Sequence, residues 1–234
     1  MSALIDSASA ILSQAEHRVT VSAQNIANIS TPGYKRRLDF TRALTGHAGP
    51  VDGQLSSLSK FDFSTGKFVH TGNPNDLAIS GVGFFVVRSG DQIFYTRHGQ
   101  FLIDDNGRLV TLQGHALQAQ GSGDITLQGP EFTVMEDGTV FQKDRLVARL
   151  QIVEFEDSTA LTSGGDGSFA APAAAAIEVV APQIRQGEIE ASNVSTGDEM
   201  IAVMEAVRRA ESAQRMVNVY DDLMGRALTA FGQG

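Results

Sequence analysis

The stretch SALIDSASAILSQAEHRVTVSAQNIAN, residues 2–28, contains neither proline nor glycine. Apolar or small residues recur in and just beyond it as Leu4, Ala8, Ile11, Ala15, Val19, Ser22, Ile26 and Ile29. The steps are all of three or four residues. These positions therefore share one face of a helix, close to a heptad repeat with one four-residue stutter. Ser30-Thr31-Pro32-Gly33 then ends the helix, because proline followed by glycine suits a tight turn. The other end of the chain repeats the design. Thr196 with Glu199 three residues on has the form of a capping box. Val203, Val207, Ala210, Ala213, Val217, Tyr220, Met224 and Phe231 follow at helical spacing, with Gly225 the weak spot inside. A helix of that extent is roughly 50 Å long. Both stripes are narrow and rich in alanine and small polar residues. Neither helix buries enough surface alone, so each needs another helix to pack on.

Between the ends the pattern changes to that of strands. Phe84-Phe85-Val86-Val87 follows Gly81-Val82-Gly83, and Ile93-Phe94-Tyr95-Thr96 comes next. Phe101-Leu102-Ile103 and Arg108-Leu109-Val110-Thr111 flank Asp104-Asp105-Asn106-Gly107, a strong hairpin signal. Phe132 to Met135 and Thr139 to Phe141 flank a second turn at Glu136-Asp137-Gly138, and Leu146 to Phe155 reads as one long strand. Strands at this spacing imply an antiparallel barrel or sandwich rather than βαβ units. Residues 41–75 are polar and dotted with glycine, and Ser163 to Ala176 reads as a Gly- and Ala-rich surface excursion. The expected fold is α+β with a mainly β core. A discontinuous antiparallel β domain is flanked by long N- and C-terminal helices that pair as an α-helical coiled coil. The expected parts are an N-terminal helix and turn (1–40), an extended polar connector (41–75), a β-rich domain (76–185) and a C-terminal helix (186–234).

Composition narrows the function. The 234 residues carry a formal net charge of −9, which argues against nucleic acid as the main partner, since phosphate binding needs a basic surface. With 42 % hydrophobic residues the chain is neither disordered nor membrane-like, and no run approaches 18 apolar residues, so membrane insertion is not expected. There is no cysteine, which removes disulfides, thiolate zinc sites and Cys nucleophiles. The N-terminus lacks a basic segment followed by a solid apolar core, so no cleaved secretory signal is expected.

A search for chemistry finds none that converges. Histidines 17, 47, 70, 98 and 115 form neither HxH nor HExxH, and His98 and His115 read as polar positions on strands or turns. Gly81-Val82-Gly83 lacks the third glycine and the following helix of a dinucleotide loop; it reads as a bend leading the backbone into a sheet. An EF-hand loop starting at Asp104 needs glutamate at its twelfth position, which is His115. No Gly-x-Ser-x-Gly elbow occurs. No catalytic residue, cofactor or metal is therefore expected. Arg208-Arg209 reads as a solvated helix face or an ion-pair site.

Four segments taken together resemble one family, the axial proteins of the bacterial flagellum, its rod and hook subunits. They are Ala23 to Lys35 with Asn25, Asn28 and Thr31-Pro32-Gly33-Tyr34-Lys35; Ile79-Ser80-Gly81-Val82-Gly83-Phe84-Phe85-Val86; Tyr95-Thr96-Arg97-His98-Gly99-Gln100-Phe101, running into Asp104, Gly107 and Leu109; and Gln186 to Val194, with Glu199-Met200 just after. They fall in family order across nearly the whole chain. Arg208-Arg209-Ala210-Glu211 and Asp221 to Ala227 are similar to the proximal-rod branch, with the distal rod as second choice. Gln24 and Ala210 depart from it, standing where asparagine and an aromatic are usual.

The resemblance implies a structural subunit and not an enzyme. Such a subunit polymerises into a helical tube that transmits torque from motor to hook. It implies a periplasmic rod in the flagellar basal body and export through the flagellar type III apparatus without a cleaved signal. The implied partners are copies of the chain, other rod proteins and the export apparatus. On this reading the assembly interface is expected at Leu4, Ile11, Asn25, Ile26, Asn28, Tyr34, Val203, Val207, Val217, Tyr220, Met224 and Phe231. The side-chain amides of Asn25 and Asn28 suit either local capping or a bridge to a neighbouring subunit. A β-domain adhesin or fibre protein is the alternative of another class; it accounts for the strands but not for paired helical ends.

Overall fold

The computed structural model describes residues 2–41, 57–121 and 123–231. The chain divides into two compact units. One comprises Met1–Ala27, Arg37–Lys60 and Ser195–Gly234; the other comprises Asn28–Arg36 and Phe61–Val194.

The first unit is helical. Helix α1 is Ser2–Ala27 and helix α2 is Thr196–Phe231. The start of α2 differs from the sequence reading by one residue. Ser195 does the capping: its Oγ accepts the Asp198 N–H at 3.4 Å and its carbonyl accepts the Glu199 N–H at 3.1 Å. Asp198 and Glu199 sit in the first turn, where carboxylates complement the helix dipole. Gly225 does not break α2, which runs through it.

The two helices pack on each other. On α1 the buried residues include Ala8, Ala15 and Ser22, seven apart, with Val21 and Asn25 beside them. On α2 they are Glu199, Ala202, Ala206 and Ala213. Small side chains let the backbones approach closely, but they bury little apolar area. Strand β1 (Arg37–Thr41) forms a two-stranded ladder with β2 (Ser57–Phe61).

The second unit is β throughout, and every recorded strand pair in it is antiparallel. Its strands are β3 (Phe68–His70), β4 (Leu77–Ile79), β5 (Phe84–Ser89), β6 (Gln92–Thr96), β7 (Phe101–Ile103), β8 (Leu109–Thr111) and β9 (Ala116–Leu117). Then come β10 (Thr133–Val134), β11 (Thr139–Gln142), β12 (Arg145–Arg149), β13 (Ile152–Phe155), β14 (Thr162–Gly165) and β15 (Ser168–Ala170). The last are β16 (Ala176–Glu178), β17 (Ile184–Gln186) and β18 (Glu188–Glu190). The main sheet runs β14-β15-β6-β5-β9-β8-β7, with β13 also on β5 and β16 on β13. A separate sheet runs β10-β11-β12, and β17 pairs β4 while β18 pairs β3.

Strand β5 explains why Phe84 to Val87 are apolar without alternation. Phe85 and Val87 enter one core with Leu77, Phe101, Leu109, Leu117 and Ile152. Phe84 and Val86, on the opposite face, enter a second core with Tyr95, Val153, Leu161 and Phe169. A strand covered on both faces has no polar side to show. Both turns expected from sequence are hairpins in the structure, joining β7 to β8 and β10 to β11.

Two expectations are corrected. Leu146 to Phe155 is not one strand. The chain leaves the three-stranded sheet after β12 and joins the main sheet as β13; between them Leu150 donates to the Gly138 carbonyl (2.8 Å) and Gln151 to that of Gln118 (3.0 Å). An unbroken apolar run carries no mark of such a change of sheet. Ser163 to Ala176 is not merely a surface excursion: it holds β14 and β15, and Phe169 lies fully inside the second core, edge-on to Phe61 at 4.9 Å. One phenylalanine among glycine and alanine gives no period to read. Within the stretch read as connector, residues 57–61 and 68–70 form β2 and β3, while residues 42–56 lie outside the described residues.

Candidate functional site

The four segments that carry the family resemblance meet in the β unit around one carboxylate. Glu190, at the end of β18, is fully buried. Its Oε1 accepts from Lys35 Nζ at 2.6 Å and from the Gly66 N–H at 2.8 Å; its Oε2 accepts from Arg97 Nη1 at 3.1 Å. Its backbone carbonyl accepts the Gly33 N–H at 2.7 Å. Arg97 also donates to the carbonyls of Ile79 (3.1 Å) and Gly81 (2.6 Å), and its guanidinium lies 5.5 Å from the centre of the Phe84 ring. Lys35 further donates to the Ser64 carbonyl at 2.8 Å.

Two buried cations thus share one buried carboxylate. Burial pulls the pKa of both Lys35 and Arg97 below their ordinary values, and the charge of Glu190 opposes that pull. The glycines of the motifs are explained by the same crowding. Gly33 has φ +68°, and a Cβ there would stand 2.2 Å from the Arg97 carbonyl carbon; at Gly99 a Cβ would stand 1.7 Å from the Leu77 oxygen. Asn193 adds a further tie, accepting the Arg36 N–H at 2.8 Å and donating to the Asp62 carbonyl at 2.8 Å. The sequence reading missed Lys35, Arg97, Glu190 and Asn193 as a group. Their signal was present, as charged and amide residues inside segments otherwise apolar or turn-like, but nothing local links position 35 to position 190.

His98 lies in the connection between β6 and β7. It is buried, and its Nδ1 has no hydrogen-bond partner among the described residues. Burial lowers its pKa, with the charge of Asp76 acting the other way. His115 stacks on Phe94 at 5.5 Å. Among the described residues no group of three or more His, Cys, Asp or Glu is placed to hold a metal ion, and no helix is long and apolar enough to cross a membrane.

In the helical unit Asn25 plays a part inside the chain. Its amide Nδ2 donates to the Arg37 carbonyl (3.0 Å) and its Oδ1 accepts the Arg37 N–H (2.9 Å), so one side chain reads both backbone groups of the first residue of β1. Nδ2 also donates to Glu199 Oε1 at 3.2 Å. That contact ties Glu199, in the first turn of α2, to α1. Tyr34, in the β unit, is buried. Asn28 accepts the Thr31 N–H on its carbonyl (3.1 Å) and the Thr31 hydroxyl on Oδ1 (3.2 Å), a local turn.

Ile11, Ile26, Val203, Val217, Tyr220 and Met224 are half-buried, and Val207 is exposed. Leu4 and Phe231 fall, as side chains, outside the described residues. The sequence stripe is thus chiefly the face that α2 turns to α1. Besides Val207, the apolar residues of α2 with open surface lie off that stripe: Met200, Ile201 and Met204 near its start, and Met216, Val219 and Leu223 further on. Methionine and leucine scattered among charged residues gave no period that stood out from the first stripe.

Two long helices with small-residue seams and open apolar surface on one of them define a class: a structural subunit built to pack with others. Three family models match the chain in order. They are "Flagella basal body rod protein" over residues 5–35, "Flagellar hook protein FlgE/F/G D1 domain" over 78–142, and "Flagellar basal body rod FlgEFG protein C-terminal" over 185–230. The chain is 34 % identical to the flagellar basal-body rod protein FlgF of Caulobacter vibrioides over 226 residues, covering 90 % of each chain. It is 32 % identical to FlgF of Salmonella typhimurium, covering 92 % of each, and 28 % identical to the flagellar basal-body rod protein FlgG of Borreliella burgdorferi, covering 97 % of each. The chain belongs to the flagellar basal-body rod protein family. That family is structural and contains no enzyme activity to assign.

Proposed function

We propose that the chain is a structural subunit of the flagellar basal-body rod, which polymerises with copies of itself and with other rod proteins into a helical tube that transmits torque. The observation that carries the reading is the open apolar surface of α2, in two patches. Met200, Met204 and Val207 on one part, and Met216, Val219 and Leu223 on another, are too many exposed large apolar side chains for a helix that ends its packing with α1. The seven-residue spacing of Ala8, Ala15 and Ser22 fits a coiled-coil pairing of the two helices. The half-buried Ile11, Ile26, Val203, Val217, Tyr220 and Met224 then serve both the partner helix and the neighbouring subunit. Identities of 34, 32 and 30 % to three FlgF-named relatives, against 28 % to the FlgG of Borreliella burgdorferi, favour the proximal rod. Passage through the flagellar type III apparatus and a periplasmic location follow from the same reading.

Torque transmission suits this design, because many individually weak helix contacts yield only together. Electron microscopy of the concentrated chain, alone and mixed with other rod subunits, tests it. Tubular or helical products are expected, and Val219→Asp with Leu223→Asp should abolish them while leaving the β unit folded. A wild-type chain that stays monomeric in every mixture would overturn the reading.

A further inference from the structure

The turn between β7 and β8 carries a chemistry that assembly does not use. Its sequence is Asp104-Asp105-Asn106-Gly107. The chain has seven asparagines, and Asn106 alone precedes glycine; the others precede isoleucine, valine, proline or aspartate. A glycine carries no Cβ to keep its amide nitrogen from the carboxamide of the residue before it. Isoleucine and valine crowd that approach with their branched Cβ, and proline has no N–H to give up. Asn106 is exposed, and its side-chain amide makes no hydrogen bond among the described residues.

The backbone on either side of Asn106 is held firmly. The Gly107 N–H donates to the Asp104 carbonyl at 2.9 Å, and the Gly107 carbonyl accepts the N–H of Leu127, a core residue, at 2.7 Å. Gly107 has φ +77°, and a Cβ there would stand 2.3 Å from the Leu127 oxygen. The Asp104 carboxylate accepts the Asn106 N–H at 2.9 Å and the Arg108 N–H at 2.8 Å on one oxygen, and Arg108 Nε at 2.8 Å on the other. Attack by the Gly107 nitrogen on the Asn106 carboxamide consumes the N–H that binds Asp104. The peptide plane must also turn toward the side chain, against the contacts with Leu127. The reactive pair is therefore exposed, but the closed hairpin withholds its nucleophile.

We infer that Asn106 is a site of spontaneous deamidation guarded by the folded β7–β8 hairpin, so that modification accumulates while the chain is unfolded. In the first step the Gly107 nitrogen bonds to Asn106 Cγ and the bond from Cγ to the side-chain nitrogen breaks. That nitrogen leaves as ammonia, taking the amide proton. Water then opens the cyclic imide at one carbonyl or the other, giving aspartate or isoaspartate; nothing is oxidised or reduced. Either product adds a negative charge beside Asp104 and Asp105. Isoaspartate also lengthens the backbone by a carbon just where Gly107 has to meet Leu127, so the hairpin cannot close in its original register. The fold slows the reaction, and the reaction undoes this part of the fold. The inference does not depend on the chain's being a subunit of a polymer.

The full-length chain is incubated in mildly alkaline buffer, once folded and once in guanidinium chloride, and sampled over time. Trypsin cuts after Arg97 and Arg108, which isolates Asn106 in the peptide 98–108. Deamidation raises its mass by about one dalton, and isoaspartate separates from aspartate by chromatography. In denaturant this peptide is expected to gain mass ahead of those carrying Asn73, Asn193 or Asn218. In buffer its rate should fall by at least about ten-fold, since the hairpin must first open locally. Gly107→Val should suppress the gain in denaturant. Asp104→Ala, which removes the carboxylate that ties the turn, should speed the reaction in buffer and leave the rate in denaturant unchanged. Circular dichroism checks that this variant is folded; if it is not, the wild-type comparison decides alone. No gain at 98–108 in denaturant, or an equal gain in the other peptides, would overturn the site. Equal wild-type rates in buffer and denaturant, or a folded Asp104→Ala chain that reacts no faster, would overturn the guard.

Discussion

Replacing Glu190 with glutamine removes one charge and no volume from the middle of the β unit. Glu190 and Lys35 are each 1 % exposed as side chains, and Arg97 is 4 % exposed. With glutamine at 190, two buried cations lose the carboxylate they share, and one end of the new amide presents N–H groups to a donor. Breaking a buried ion pair from one side costs about 3–5 kcal/mol, because the abandoned charge remains desolvated. Against a total stability of about 5–15 kcal/mol this is a large fraction. With an m-value near 2 kcal/mol/M in urea, the midpoint should fall by about 1.5–2.5 M.

The comparison is Glu188→Gln, two residues away. Glu188 meets Arg185 at 3.3 Å with side chains 25 % and 50 % exposed, and an exposed pair of that kind contributes about 0–1 kcal/mol. Tyrosine fluorescence follows the unfolding, since there is no tryptophan and Tyr34 and Tyr95 are both buried in the β unit. Hydrogen exchange gives a local readout at the Gly66 amide, which donates to the Glu190 carboxylate. Adding Lys35→Met to Glu190→Gln takes away one of the stranded cations and should recover at least about 1 kcal/mol. If Glu190→Gln and Glu188→Gln have midpoints within about 0.5 M of each other, taking the same m-value, the buried cluster is not holding the unit closed and the reasoning fails.

Three further outcomes are expected. Because burial holds the folded pKa of His98 below its ordinary value, the unfolded chain takes up the proton first as pH falls. Stability should therefore decline below about pH 6.5, by up to about 1.4 kcal/mol per pH unit, well above the carboxylate range, and His98→Gln should flatten that decline in urea titrations at pH 7 and pH 5. Gly33→Ala should destabilise the β unit by more than 1 kcal/mol, roughly the cost of a left-handed backbone, because its Cβ also meets the backbone of Arg97; thermal unfolding indistinguishable from wild type would contradict this. Asn25→Ala should cost about 1–3 kcal/mol locally and speed amide exchange at Arg37, whose N–H it binds, while exchange in β5 to β9 stays unchanged.

How much of this was legible in the sequence depends on the distance over which the signal acts. Helices α1 and α2 were readable because a helical stripe is a local period, repeated over many turns in residues 2–28 and 203–231. The hairpins at Asp104 to Gly107 and Glu136 to Gly138 were readable because glycine at a turn has a local cause. The turn at Lys143-Asp144 was missed, since it adopts the same left-handed geometry without a glycine to mark it. The cap of α2 was misplaced by one residue because Ser195 and Thr196 are chemically interchangeable as caps, and only hydrogen-bond geometry separates them.

The sequence by itself determined that both ends are long helices in need of partners, because periodicity and composition act over neighbouring residues. It also carried the ordered family signatures. Only the tertiary structure decided what those signatures are for. Residues 35, 66 and 97 surround the buried carboxylate of Glu190, and charges so far apart along the chain meet only once the strands pair. It likewise decided which face of α2 is spent on α1 and which is left open. Two stripes on one helix are alike in hydrophobicity, and burial alone tells them apart.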